Sequence, residues 1–499
     1  DKVLKTAERM FYFNRANFEK KKPFACQGER CWLQGADNVG PGQDREARSV
    51  KDRDNAKTAR DLSGGWWDAG DTNKYVTFSN EPVHQLLTAF EERPDAFTDD
   101  FGIPESGNGL PDLIDELLVE ISWLEKMQPE DLGGGALIKV GDIKYGEPIP
   151  EQSTFPRFYY PEPCSSATIA VASEFAHAAR VFKDIPQLAK RSEELLTRAE
   201  QAFTYYQSHP KSDACDDGTI KAGDADKSLE EQDATAVTAA VYLFAATDKP
   251  EYNDYVIEHY STTEPFHSDQ WSLYRESQGD ALLYYTHLEH GNAGVKNAIV
   301  QRKVDQSQSI DIYKMRPQFD LYRAFLRPDT YHWGSNHQRA AMGNTNYDLI
   351  QHRLAKTPQD RESFLERAAG MLHSFHGVNP MQLVYLTNMY AVGGDACADE
   401  MFHTWFRDKD PKWDNARTSE LGPAPGYVTG GPNKEYCKGQ PAEQACTHSP
   451  VRDQPPGKAY VDTNTGSDPT NLYGNSWEMT EPAIYYQASY LRLLSKFVK

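Results

Sequence analysis

Apolar residues recur every three to four positions along much of the chain, and strict alternation is rare. The first spacing builds an apolar stripe on one side of an α-helix, whereas alternation would build a strand. The clearest case is residues 114–128, where Leu117, Leu118, Ile121, Leu124 and Met127 fall near one face. Residues 165–182 open with serines and carry small side chains that let helices approach closely. Residues 186–206 start at Pro186, suited to a first helical turn, and keep charge on one side. The same reading places helices over 2–18, 83–92, 234–247, 252–260, 279–290, 295–307, 346–356, 359–375 and 482–499. Roughly a dozen helices are therefore expected, spread over the whole length. Two long stretches rich in Gly, Pro and Asp, residues 26–67 and 409–477, lack periodicity. Loops that long in a compact domain are usually functional or separately folded. With no low-complexity linker dividing the chain, the expected architecture is one all-α domain over 1–499. Its helices would pair in a ring, with long loops lining one face.

Composition narrows the possible partners. The net charge of −21 disfavours a nucleic acid or an anionic membrane surface. No apolar run approaches the length of a membrane-spanning helix. The chain begins at Asp1 without a charged-then-apolar leader, which reads as a mature or shortened form. Secreted, periplasmic and cytoplasmic locations all stay open. Among the seven cysteines, Cys26 and Cys31 are neighbours in sequence, as are Cys437 and Cys446, and each pair is placed to close a small loop. Cys164, Cys215 and Cys397 have no local mate, and no CxxC motif suggests a zinc ribbon or a dithiol redox site.

Two segments carry candidate chemistry. Gly64-Gly65-Trp66-Trp67-Asp68-Ala69-Gly70-Asp71 sets two carboxylates three apart in a glycine-rich turn beside two tryptophans. Glycosidic cleavage needs one carboxylate to activate water or attack, and a second group to protonate the leaving oxygen. The same pattern also suits an Asp-rich turn that caps backbone amides. Trp477-Glu478-Met479-Thr480-Glu481-Pro482 reads as a helix start, with Thr480 or Glu481 as cap and Pro482 in the first turn. A helix N-terminus lowers a carboxyl pKa, while a general acid needs it raised. Burial or a neighbouring carboxylate must outweigh the dipole if Glu481 is an acid. Asp213-Ala214-Cys215-Asp216-Asp217-Gly218, followed by Asp224, partly imitates a calcium loop but lacks its terminal bidentate Glu. A structural calcium is therefore left open, and no other cofactor is expected.

Taken together, the segments resemble glycoside hydrolase family 9, the inverting cellulase family. GGWWDAGDTNKY resembles its signature, and LPDLIDELLVEISWLEKMQ the helix that follows. WGSNHQRAAMGN, HSFHGVNP and WEMTEPAIYYQASYLRLL resemble later family segments, in the family's order. The resemblance implies an (α/α)6 toroid. It also implies Asp71 as general base, Asp68 as its partner in holding the attacking water, and Glu481 as general acid. Inversion requires room for water between acid and base.

One stretch departs from the family's endo-cellulases. Where they carry a His/Arg-rich sugar-binding loop, this chain reads VYLTNMYAVGGDACADEMFHTWF. His403 is the expected positional equivalent and sugar ligand, with Trp405 beside it. Trp66, Trp67, Trp333, Trp405, Trp477 and Tyr427 fall in loop-like segments, and two or three of them are expected to line the sugar cleft. The altered loop resembles the branch that trims short oligosaccharides from an end, either cello-oligosaccharides or chitosan-type glucosamine chains. The acidic net charge favours the cationic second class. The alternatives are an endo-1,4-β-glucanase and a non-catalytic carbohydrate-binding protein.

Overall fold

The structure is a computed structural model that describes residues 1–144, 149–308, 311–315, 320–437, 450–465 and 475–498. Twelve helices of ten residues or more appear among the described residues. In chain order they are α1 (Lys2–Asn14), α2 (Val76–Glu92), α3 (Asp112–Met127), α4 (Ser165–Phe182), α5 (Ala189–Ser208) and α6 (Leu229–Thr247). They continue as α7 (Pro250–His259), α8 (Glu276–Tyr285), α9 (Ala293–Gln306), α10 (Ser335–Gln351), α11 (Pro358–Phe375) and α12 (Ile484–Ser495). The even-numbered helices form an inner ring. α2 packs on α4, α4 on α6, α6 on α8, α10 on α12, and α12 back on α2. Between α8 and α10 the ring is joined by Asn344, whose Nδ2 donates to Glu276 Oε2 at 3.1 Å. Each odd-numbered helix packs outside an even-numbered one, as α5 does on α4 and α11 on α10. The expected (α/α)6 toroid is the observed fold.

Side-chain pattern explains which helices go inside. α5 buries only Ser192, Leu195, Ala199, Ala202, Phe203 and Tyr206, a single stripe that suits an outer position. α4 buries every residue except Arg180, as a helix surrounded by others must. α10 is also buried along nearly its whole length, yet it is rich in polar residues. Those groups find partners: Asn346 Nδ2 reaches Ile312 O and Met342 O, both at 2.8 Å. Burial of such groups is tolerated only when they are hydrogen-bonded.

Arg492 of α12 ties four inner helices together near the ends of α2, α10 and α12. Its guanidinium donates to Asp280 Oδ2 at 2.7 Å, Gln85 Oε1 at 3.0 Å, Glu92 Oε1 at 2.9 Å and Asp348 Oδ1 at 3.2 Å. Burial pushes the Glu92 carboxyl up, but Arg492 and Lys496 outweigh it and hold it down at about 2. Burial dominates at Asp280 instead and pushes it up to about 7.

The strands are only two to four residues long. One small sheet, in spatial order Arg48–Ser49, Phe158–Tyr159, Lys139–Gly141 and Lys74–Tyr75, braces the chain just after the Asp68–Asp71 turn. Disulfides join Cys26 to Cys31 and Cys164 to Cys215, and Cys397 is free and buried. Cys437 is disulfide-bonded, while Cys446 lies outside the described residues. No helix among the described residues is long and apolar enough to cross a membrane.

Replacing Arg492 with Met leaves Glu92, Asp280 and Asp348 buried without their common cation. The expected loss is about 3–5 kcal/mol of unfolding free energy, measured by urea denaturation at neutral pH. Glu92's folded pKa lies below its ordinary 4.5. Its contribution is therefore complete above about 4.5 and disappears as pH falls towards 2. The difference between parent and variant should shrink over that window.

Candidate active site

The turn carrying Asp68 and Asp71 is shaped by its glycines. Gly65 has φ +75°, and a Cβ there would stand 2.8 Å from the Trp123 ring. At Gly70 a Cβ would lie 2.4 Å from Phe402 O and 3.1 Å from Glu481 Oε1. Only glycine admits the 400–404 segment this close. Thr404 N then donates to Gly70 O at 2.7 Å. Asp71 is steered by Asn73, whose N donates to Asp71 Oδ1 at 2.9 Å and whose Nδ2 donates to Oδ2 at 3.4 Å. Asn73 is itself buried and accepts from Asp142 N at 3.1 Å. Behind the turn, Asp44 pairs with Lys74 at 3.0 Å and Arg157 at 2.8 Å, and Arg157 Nη2 donates to Thr72 O at 2.6 Å.

Two hydrogen bonds stitch this turn to the far end of the chain. Gly70 N donates to Glu481 Oε1 at 3.2 Å, and Ile484 N donates to Asp68 O at 2.9 Å. The second bond satisfies the first amide of α12, so the Asp68 backbone acts as a cap for that helix. The expected position of Glu481 is corrected here. It is not the N-cap of α12, a position held by Ala483. Glu481 instead ends the short helix Trp477–Thr480, where Pro482 obliges an extended residue before it.

Electrostatics follow from that placement. Burial raises the Glu481 carboxyl well above its ordinary value, and the Asp71 charge raises it further. The Gly70 N–H opposes them and does not prevail. Asp68 is pushed up to about 8, first by burial and then by Asp71. Its Oδ1 is buried and has no hydrogen-bond partner among the described residues. Three carboxylates thus share one small volume, and like charges so placed do not all ionise together.

A cavity of about 310 Å³ opens beside Asp68 and Glu481. Every inner helix sends residues of its N-terminal turns into the wall. Asn80, Ser166, Gln232, Gln278, His337 and Tyr485 represent α2, α4, α6, α8, α10 and α12 in turn. Six positive helix ends therefore converge on the cavity, a field that offsets the concentration of acidic groups there.

The aromatic residues divide into two sets. Trp333 is 49% exposed and lines the cavity, with Trp477 edge-on to it at 5.4 Å between ring centroids. Trp66, Trp67, Trp405 and Tyr427 are buried, which corrects their expected place along the cleft. Trp67 and Trp405 stack at 4.3 Å beneath the Asp68–Asp71 turn, Trp66 packs on Phe11, and Tyr427 donates to Asn14 Oδ1 at 2.9 Å. Their role is to form the platform that holds the turn. His403 is also buried, inside a cage of Trp67, Trp405, Phe406 and Tyr427. Burial, with Lys20 and Arg407 nearby, pulls its pKa down to about 3, so the imidazole is neutral.

The residues of the partial calcium-loop pattern have other partners. Asp216 pairs with Lys139 at 2.6 Å and accepts from Tyr160 at 2.8 Å, while Asp217 accepts from Tyr160 at 2.9 Å. Asp226 lies near Cys164 and Cys215, but those sulfurs form a disulfide and offer no thiolate to a metal. Asp99, Asp112 and Asp115 form another group close enough to share a cation.

The six helix pairs close into an (α/α)6 ring with a group of carboxylates at one mouth. Residues 1–494 match the family model for glycosyl hydrolase family 9, and the chain belongs to that family. It is 25% identical to a cellulose 1,4-beta-cellobiosidase of Acetivibrio thermocellus, over 94% of this chain and 54% of the relative. It is 24% identical to a cellodextrinase of Butyrivibrio fibrisolvens, over 93% of this chain and 79% of the relative. A metagenome-derived family 9 endoglucanase superposes with a TM-score of 0.77 at 26% identity, covering 99% of this chain and 80% of that one. The chain spans about half the length of the first of these relatives, and 44% of an endoglucanase D of Acetivibrio thermocellus.

Replacing Asp71 with Asn removes the charge that lifts both neighbours. The carboxyl pKa values of Asp68 and Glu481 are both expected to fall, as read by carbon-13 NMR of labelled side chains. An unchanged Glu481 would mean that burial alone sets its value.

Proposed function

We propose that this chain hydrolyses β-1,4-linked gluco-configured oligosaccharides with inversion, acting on short chains from an end. The observation that carries the reading is the carboxyl of Glu481 hydrogen-bonded to Gly70 N–H, between Asp68 and Asp71. That contact sets an acid with a raised pKa against a pair of aspartates on a separate segment. Glu481 is the group suited to protonate the leaving oxygen. Asp71, oriented through both oxygens by Asn73, is the group suited to take a proton from water. Asp68, with an unpartnered buried oxygen, is placed to hold that water from a second side. Acid–base hydrolysis of this kind calls for no cofactor. Sugar contact falls to Trp333, backed by Trp477, and to Tyr485 on the cavity wall, while His403 braces the turn from behind. A cavity of about 310 Å³ is at the small end of ligand sites, which favours short substrates over long fibres. An endo-acting 1,4-β-glucanase is the second reading, favoured by the likeness to a family 9 endoglucanase.

Glu481→Gln is expected to lower kcat on cello-oligosaccharides by about 10²–10⁴-fold. Glycosyl fluorides, whose leaving group needs no proton, should suffer much less. Proton NMR early in the reaction should show the α-anomer as first product. On a soluble cellulose derivative, slow viscosity loss with release of short sugars is expected. Rapid viscosity loss would replace end-trimming with internal cleavage.

A further inference from the structure

Lys227, half-buried in the cavity wall, differs from the buried lysines. Lys20, Lys74, Lys303 and Lys496 all lose basicity to burial, and each ammonium donates to an acceptor. The partners are Arg15 O, Leu62 O, Thr345 Oγ1 and Glu92 respectively. Lys227 also loses basicity to burial, but no hydrogen bond or ion pair reaches its Nζ among the described residues. Its side chain lines the cavity with Asp68 and Glu481, and its Nζ sits 5.0 Å from the centre of the Phe78 ring. The backbone, in contrast, is pinned. Lys227 N donates to Ser166 Oγ at 3.2 Å, and Lys227 O accepts from Gln232 Nε2 at 2.7 Å. The next residue, Ser228, caps α6 through a reciprocal bond with Glu231. This half-buried ammonium on a pinned backbone therefore turns its N–H groups to the cavity, where water or a ligand accepts them.

The surrounding charges indicate which ligand. Glu231 and Arg275 neutralise each other as an ion pair. Glu81 accepts from Ser277 N at 3.0 Å and Ser277 Oγ at 2.6 Å, and burial pushes its carboxyl up to about 7. With Glu481 and Asp68 also raised, Lys227 is, among the described residues, the lysine that lines the cavity without a paired carboxylate. We infer that Lys227 is a specificity residue that donates to a hydroxyl of the bound sugar and discriminates against an amino sugar in the same place. A sugar hydroxyl accepts from an ammonium, whereas a glucosaminyl ammonium has no lone pair to offer and carries like charge. This local contact outweighs the net charge of −21. Surface charges are screened beyond about 8–10 Å at ordinary ionic strength, while Lys227 stands inside the site.

The inference rests on the proposed function, and the experiment separates the two. Steady-state kcat/KM is measured for cellotetraose and for its glucosamine counterpart, with parent, Lys227→Met and Lys227→Arg. Dissociation constants for both sugars are measured by calorimetry in the Glu481→Gln background. The parent should prefer the neutral sugar by about tenfold or more. Lys227→Met should lose roughly tenfold to hundredfold for the neutral sugar, chiefly in KM and Kd, the size expected for one charged hydrogen bond. Its preference for the neutral sugar should shrink, and Lys227→Arg should restore it. If Lys227→Met does not fold, as judged by its melting transition, Lys227→Gln takes its place. A parent that cleaves the glucosamine chain equally well overturns the assignment, as does a variant whose preference and Kd stay within twofold of parent. A parent that binds the neutral sugar through Lys227 but cleaves nothing overturns the proposed function and leaves the assignment standing.

Discussion

Closing a ring of helices forces charge and polar backbone ends into the interior, and Arg492 is the group that makes this tolerable at one end. α2 and α10 both finish near it, and their carboxylates Glu92 and Asp348 would otherwise lie together with the negative ends of their helices. One guanidinium, with five donors in a planar fork, serves both together with Asp280 and Gln85. The inner ring is thus registered by directional bonds as well as by apolar packing. A purely apolar lumen would stabilise burial but would leave the helices freer to slide.

At the opposite end the same construction gathers the three carboxylates. Six helix N-termini converge there, and such a field lowers carboxyl pKa values. Glu481 nevertheless has a raised one, because it is not in the first turn of α12 and because burial and Asp71 act together. The extended residue imposed by Pro482 moves Glu481 away from the dipole and onto the aspartate turn. The contradiction seen in the sequence between a helix-start position and an acid's pKa is resolved by this displacement.

The ring, the family, the carboxylate trio and the start of α4 at Ser165 were legible in the sequence, while the starts of α2, α6 and α10 were not. Periodicity placed the start of α2 at 83, of α6 at 234 and of α10 at 346, against Val76, Leu229 and Ser335 in the structure. The reason is common to all three. The first turns of these helices face the cavity and are mainly polar, so they carry no regular apolar stripe to count. Asn73 and Lys227 escaped notice for a related reason: each looks like an ordinary loop residue until the fold brings Asp71 or the cavity against it. The tryptophans failed in the other direction. Beside glycine and aspartate, Trp66 and Trp67 resemble a sugar platform, yet the turn needs an apolar floor and takes them for it. The Cys164–Cys215 bond spans 51 positions and left no local signal.

The bonds from Gly70 to Glu481 and from Ile484 to Asp68 join segments about four-fifths of the chain apart. Closing so long a loop costs little more entropy than closing one half its length, because the penalty grows only logarithmically. It does, however, come late, since contacts of high sequence separation form after local helices. During synthesis the turn emerges hundreds of residues before its acid, and α12 has no cap until both are present. Assembly of the carboxylate group and completion of the ring are therefore a single event. A chain arrested short of α12 holds an unshielded aspartate turn without the carboxyl of Glu481 beside it.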